Sequence, residues 1–176
     1  VRRKAHFTLK YAFFGLAVIF VVLIPPIELV GRSITLIWSF QIVLLLWVAQ
    51  KIDVMFMRLG ALLVSLMLGV SLGMDMWSMY VQTSSLSDPM PLFLNIGFIT
   101  NLSATIGFSL NMLLLNREKY TYFVPYIKVN ALKGLFGLLA LVAFYLSFYL
   151  ELRYHLLQNL QAENVIRLYI GLYNTG

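Results

Sequence analysis

Long apolar runs separated by short polar stretches dominate the chain. Each run has about 16 to 24 residues, close to the roughly 20 that a helix needs to cross a hydrocarbon core of about 30 Å. Numbered as spans one to five, the runs are Leu9–Ile24, Ser33–Gln50, Val54–Met74, Leu92–Leu115 and Ala131–Leu150. The pattern predicts an all-α membrane protein, in which residues 1–176 form a single transmembrane bundle of about five helices.

Rows of small or weakly polar residues run along three of these spans. In span four, Gly97, Asn101, Thr105 and Ser109 recur at every fourth position, beside a second row of Ser103, Gly107 and Asn111. Span three carries Ala61, Ser65, Gly69 and Gly73, and span five carries Gly134, Gly137, Ala140, Ala143 and Ser147. Such rows allow close helix packing in lipid. We therefore expect a bundle organised around span four, with span three packed on span four or on the same neighbour.

Polar residues and prolines mark the connections between the spans. Pro25-Pro26 predicts the end of span one. The composition of Asp75–Pro91 predicts an exposed loop. The basic, aromatic stretch Asn116–Asn130 is predicted to lie on the membrane surface. Residues 151–173 are predicted to form either an amphipathic helix up to Glu163 or the start of a further span.

Composition supports lipid as the solvent. The chain is 61% hydrophobic and 11% charged, whereas soluble domains are about 45–50% apolar and about 25% charged. The absence of cysteine excludes disulfides and thiolate metal sites. The formal charge of +6 arises from basic residues at the ends of apolar runs, which indicates membrane topology and anionic lipid rather than nucleic acid.

The basic residues predict the orientation. With five spans, the N-terminal side holds Arg2, Arg3, Lys4, Lys10, Lys51, Arg58, Arg117, Lys119, Lys128 and Lys133, and the other side holds Arg32, Arg153 and Arg167. This asymmetry predicts a cytoplasmic N-terminus. A start at Val1 and an end just after a short apolar run suggest part of a longer polytopic chain.

Three sequence elements together resemble a known family. They are WSFQIVLLLW from Trp38 to Trp47, RLG from Arg58, and PLFLNIGFIT from Pro91. Over residues 33–151 the chain resembles the bacterial membrane protein family called domain of unknown function 2339, most closely its Bacteroidetes members. The resemblance implies a bacterial inner membrane and a longer chain with more spans. It implies no activity, and Gln41 stands near where the family has an acidic residue, so no acidic role carries over.

Amides within the spans are the first group of candidate residues. Span two contains Gln41, and span four contains Asn95, Asn101 and Asn111. A buried amide in hydrocarbon needs a partner. The group therefore either joins helices by hydrogen bonds, at about 1 kcal/mol or less each, or lines a polar path.

Charged residues at the predicted outer ends of the spans are the second group. They are Glu28, Arg32, Asp75, Glu151, Arg153 and the titratable His155. If the fold brings these residues close together, they would form an outward-facing site with paired carboxylates. If they lie apart, they are ordinary charged residues at the positions where helices leave the membrane. Glu151 stands out because it continues the small-residue stripe four positions after Ser147. His6 and His155 are predicted on opposite sides, and no metal or cofactor motif is present.

Three functions follow from these candidates. The leading hypothesis is a non-enzymatic scaffold or envelope-assembly component, whose helices pack against further spans or partner subunits. The alternative is a transporter or channel with a polar path lined by Gln41, Asn101 and Thr105. The third is a membrane enzyme that acts on a lipid-linked substrate at the outer face. The scaffold predicts Asn101 bonded to a neighbouring helix, the transporter predicts water at Asn101, and the enzyme predicts Glu28 close to Glu151.

Overall fold

The computed structural model of the protein describes residues 13, 15, 16, 19, 20, 22–29, 31–52, 55–80 and 93–174, with side chains up to residue 160. Its elements are the helical residues 22–28 (called α1), α2 Arg32–Ile52, α3 Met55–Tyr80, α4 Ile96–Leu115, β1 Tyr122–Val124, β2 Ile127–Lys128 and α5 Val129–Asn174.

The apolar runs form helices as their composition predicts. Within the described residues, four helices, α2 to α5, are long and apolar enough to cross a membrane. The prediction of an all-α bundle of apolar helices is confirmed in that sense. The start of span one, from Leu9, lies largely outside the described residues.

Helix α4 is the centre of the bundle. It packs against α2, α3 and α5, and a larger share of it is buried than of the other three helices. Its small residues explain the close approach, because a Cβ on Gly107 would lie 2.8 Å from the backbone oxygen of Ser39 on α2. On another side, Gly97 makes room for the sulfur of Met79 on α3. Span four therefore occupies the position that its polar rows predict.

Only part of the small-residue row of α3 packs against other helices. Ala61 and Ser65 are buried, but a Cβ on Gly69 or Gly73 would have no neighbour within 4 Å. Helix α3 packs mainly on α2, whereas α4 packs most on α5 and also on α2 and, less extensively, on α3. Both arrangements expected for spans three and four are therefore present, with α2 as the shared neighbour and a smaller direct contact between α3 and α4.

Helix boundaries differ from the predicted ones at three points. Helical residues continue past Pro25-Pro26 to Glu28, since the carbonyl of Pro25 still accepts a hydrogen bond from Leu29 N at 2.9 Å. Helix α3 runs to Tyr80, so 75–80 is helix rather than loop; the buried side chains of Met76 and Met79 anchor this turn. The rest of that predicted loop, 81–91, lies outside the described residues, as does position 92.

Helix α4 starts at Ile96 rather than Leu92. Asn95 is its N-cap and accepts a hydrogen bond from Phe98 N at 2.8 Å, so it stands at the helix end and not within the span.

The last two predicted segments also have different structures. The surface segment 116–130 contains a short antiparallel hairpin of β1 and β2, which turns at Pro125-Tyr126. Span five and residues 151–173 belong to the single 46-residue helix α5. At 1.5 Å per residue this helix is about 69 Å long, well beyond one hydrocarbon core.

Candidate functional site: a buried carboxylate at one end of the bundle

Glu151 is the most enclosed charged side chain among the described residues. It lies on α5 with no exposed surface. Its Oε1 accepts hydrogen bonds from Asn95 Nδ2 at 2.6 Å and Phe93 N at 3.1 Å. Its Oε2 accepts a bond from the Tyr80 hydroxyl at 2.7 Å. Three donors from two other parts of the chain therefore satisfy the carboxylate.

The local sequence explains how these donors converge. Tyr80 is the last residue of α3, and Phe93 to Asn95 form the turn that leads into α4. Phe93 has a positive φ of 60°, a left-handed conformation that costs a non-glycine residue about 1–2 kcal/mol. The bond from Phe93 N to Glu151 compensates part of this cost. Asn95 serves two roles, because its oxygen caps α4 while its nitrogen binds Glu151.

An aromatic shell closes this end of the bundle. The ring of Phe93 packs edge-on to Phe98 with centroids 5.2 Å apart, and Phe98 packs edge-on to Phe148 at the same separation. The ring of Tyr80 meets Tyr154 at 6.3 Å. These contacts keep water from the carboxylate and strengthen its hydrogen bonds.

Three hydrogen bonds hold the carboxylate of Glu151 in place. Both carboxylate oxygens already accept hydrogen bonds. His155 Nε2 lies 3.4 Å from Oε1 without forming a hydrogen bond to it. In the described part of the chain, no group of three His, Cys, Asp or Glu residues could hold a metal ion. We shall call Glu151, Tyr80, Phe93 and Asn95 the carboxylate lock.

Of the other outer-end candidates, His155 lies next to Glu151 and Arg32 interacts electrostatically with Tyr80. Asp75 accepts a hydrogen bond from Thr35 on α2, whose hydroxyl also lies 2.6 Å from that of Ser71. Glu28 and Arg153 are exposed, and Arg32 is half-buried. Among the described residues, no hydrogen bond or ion pair joins Glu28 to Glu151.

The hydroxyl groups in the polar row of span four bond mainly to backbone carbonyls of their own helix. The hydroxyl of Thr105 donates to Asn101 O at 3.0 Å, and that of Ser109 donates to Thr105 O at 2.8 Å. Gln41, Asn101 and Asn111 are buried. Asn101 Nδ2 and Asn111 Oδ1 have no hydrogen-bond partner among the described residues. The nitrogen of Asn101 therefore does not supply, within the described helices, the bond to a neighbouring helix that the scaffold predicts.

A second buried ion lies at the opposite end. Arg58 on α3 forms a salt bridge with Glu118 at 2.9 Å, and its Nη1 donates to Phe123 O at 3.0 Å. Its guanidinium also lies 5.0 Å from the Tyr120 ring centroid. Gln50 donates to Leu114 O at 2.9 Å and to Glu118 at 3.3 Å. We shall call Arg58, Glu118 and Gln50 the arginine clamp.

Sequence reasoning missed this clamp. It assigned Arg58 only to the basic side of the membrane. The available signal was Glu118, an acidic residue among the cations of that side, since a carboxylate there favours an ion pair.

Among the cavities that border the described helices, two lie near the features above. One, of about 640 Å³, lies beside Arg58 and is lined mainly by residues of the hairpin, Tyr120 to Tyr126. The other, of about 650 Å³, is an apolar groove between α3 and α5, lined by residues that include Leu66, Gly69, Val70 and Leu135. Both border the outside of the bundle, and neither is lined by Asn101.

Comparison with known proteins assigns no family to this arrangement. No family model, no curated protein and no solved structure matches the chain. The functional argument therefore rests on the contacts described above.

Proposed function

We propose that this chain is a non-enzymatic helical module of a bacterial inner membrane, a scaffold that packs against other transmembrane helices. These would belong to a longer polytopic chain, in keeping with the resemblance to domain of unknown function 2339, or to partner subunits. The observation that carries the proposal is the engagement of both buried ions, Glu151 and Arg58, in contacts within the chain. Neither ion is left to act on a substrate.

The lipid-facing surface supports the same function. Gly69 and Gly73 form a G-x-x-x-G pair in an apolar helix, a pattern through which membrane helices associate. Neither glycine is covered within the described structure, and Gly69 lines the apolar groove between α3 and α5. The groove therefore has the shape and composition for another helix.

The charge distribution supports a cytoplasmic N-terminus. The alternating helices place Lys51, Arg58, Arg117, Lys119, Lys128 and Lys133 at one end, and Arg32 and Arg153 at the other. Basic residues concentrate on the cytoplasmic side of bacterial membranes.

Site-directed photocrosslinking in membranes tests the scaffold. A photoreactive amino acid replaces Val70 in the groove, or Ile106 on the exposed surface of α4 as the matched control. We expect a discrete protein adduct from position 70, identified by mass spectrometry as a transmembrane helix, and lipid adducts from position 106. Gly69→Leu should abolish the protein adduct by filling the groove. Lipid adducts at both positions would contradict the proposal.

The transporter remains a second candidate because of one observation. The unpartnered Asn101 Nδ2 and Asn111 Oδ1 are polar atoms that water would satisfy. The cysteine-free chain permits a clean test with single cysteines at Asn101 and Thr105. Labelling of either by a small polar reagent, at a rate close to that of a Ser84→Cys control in the loop that the sequence predicts, would favour a water path. Absence of labelling at both would favour the scaffold.

A further inference from the structure

The end of the bundle opposite the carboxylate lock carries exposed features that the scaffold does not use. The hairpin projects the ring of Tyr126 at its tip, 98% exposed. Tyr120 and Tyr122 are about half exposed. Tyrosine favours the membrane–water interface, where its ring meets lipid and its hydroxyl meets water.

The backbone of the hairpin tip is strained in order to present this ring. Tyr126 has a φ of 73° and follows Pro125. These are the features of a type II turn, whose third position normally carries glycine or asparagine. Within the described structure the ring makes no hydrogen bond or aromatic contact that would offset the cost. Strain at an exposed position points to a function outside the chain.

Positive charge surrounds the hairpin. Lys51, Arg117, Lys119 and Lys128 are exposed, and none of the four forms an ion pair with a described residue. The carboxylate of Glu118, by contrast, is held by Arg58 in the arginine clamp. The described surface at this end therefore presents unneutralised cations.

A cavity lies between these features. Its volume of about 640 Å³ falls in the range of about 300–1,000 Å³ that is usual for ligand sites. Met55, Pro125 and the tyrosine rings line it, and the clamped guanidinium of Arg58 lies at its wall. The lining suits a ligand with an apolar part and a hydrogen-bonding part, while the surrounding cations favour a negative charge.

We propose that this cavity and the surrounding cations bind the headgroup of an anionic phospholipid. Lys119 and Lys128 attract the phosphate, the hairpin tyrosines contact the glycerol and upper acyl region, and the acyl chains follow the apolar surface of α3. A lipid fits better than a soluble anion because Met55, Phe56 and Ile127 expose apolar surface here. The inference does not depend on the scaffold function, since the cavity is formed within one chain.

Native mass spectrometry of the purified full chain in a neutral detergent tests the proposal. The probes are phosphatidylglycerol and phosphatidylcholine with identical acyl chains, added at equal concentration. We expect preferential retention of one phosphatidylglycerol molecule. Each exposed cation near an anionic lipid contributes about fivefold in association constant. The variant Lys119→Gln/Lys128→Gln should therefore reduce the preference by about 25-fold, with a smaller preference at high salt for both proteins.

Arg153→Gln provides the matched control. It removes an equally exposed cation at the other end of the bundle and should leave the preference unchanged. Equal retention of both lipids by the unsubstituted chain would overturn the proposal, as would an unchanged preference in the double variant. Displacement of the lipid by glycerol 3-phosphate at equal concentration would also overturn it, because the ligand would then be a soluble anion.

Discussion

The two ends of the bundle each contain a buried ion, but they satisfy it in different ways. At one end, neutral donors surround the carboxylate of Glu151. At the other end, Arg58 is neutralised by Glu118. Each end also has one non-glycine residue with positive φ, Phe93 or Tyr126.

The rings of Phe93 and Tyr126 point in different directions, and this distinguishes the two ends. The ring of Phe93 packs inward against Phe98, and its N–H binds the lock. The ring of Tyr126 points outward, 98% exposed. The same backbone strain therefore completes a closed structural core at one end and presents an open surface at the other. Substitutions at each end, and in the core between them, should therefore differ in their effects.

Replacing Glu151 should have the largest effect on stability. Glu151→Ala leaves buried donors of Tyr80, Phe93 and Asn95 unsatisfied and should cost about 3–5 kcal/mol of unfolding free energy. Glu151→Gln should cost about 1–2 kcal/mol, because the amide oxygen can face Asn95 while its nitrogen donates to the Tyr80 hydroxyl, which can also accept. Chemical unfolding in detergent, followed by circular dichroism, measures both. Equal costs would mean that the negative charge itself is essential.

Breaking the arginine clamp should have a somewhat smaller effect. Arg58→Met leaves Glu118 buried without its cation and should cost about 3 kcal/mol. Arg58→Met/Glu118→Gln should recover at least half of this loss, since no buried charge is then uncompensated. Lys51→Met, an exposed cation at the same end, serves as the control and should change stability by less than about 0.5 kcal/mol. A double variant as unstable as Arg58→Met alone would show that hairpin contacts, rather than charge, dominate this end.

Glycine substitutions compare the packed core with the lipid-facing surface. Gly107→Ala places a Cβ 2.8 Å from Ser39 O, so α2 and α4 must separate, at about 1–3 kcal/mol. Gly69→Ala meets nothing within 4 Å and should not destabilise the isolated chain, because alanine favours helix. Thermal unfolding of both variants in the same detergent makes the measurement. A similar loss in each would contradict the central position of α4.

Replacing Asn101 should have the smallest effect. Its Nδ2 has no hydrogen-bond partner, so Asn101→Leu removes an unsatisfied polar group. We expect a change between zero and about 1 kcal/mol of stabilisation. Asn95→Leu, which removes both the α4 cap and a bond of the carboxylate lock, is the contrasting variant and should destabilise by more than about 1 kcal/mol. Marked destabilisation by Asn101→Leu would point to an ordered water at that amide.

The sequence predicts the middle of each helix correctly but not the residues at which the helix begins and ends. The apolar runs locate α2 to α5 because the transfer of side chains into hydrocarbon is a property of the local window. Helix ends depend on partners elsewhere. Asp75 lies in helix because α3 continues along α2, where Thr35 bonds to it. Asn95 lies outside α4 because its side chain caps the helix and binds Glu151.

The amino-acid pattern was enough to predict helices apolar enough to cross a membrane and the central place of span four with its polar rows. It also singled out Glu151, by its place on the stripe of span five. The partners of the buried ions became visible only in the folded chain: Tyr80 lies 71 positions from Glu151, Asn95 lies 56 from it, and Glu118 lies 60 from Arg58. The physical reason is that hydropathy adds up along a short window, whereas a buried ion requires donors or a counter-ion at hydrogen-bond distance, which only the packing of distant helices supplies.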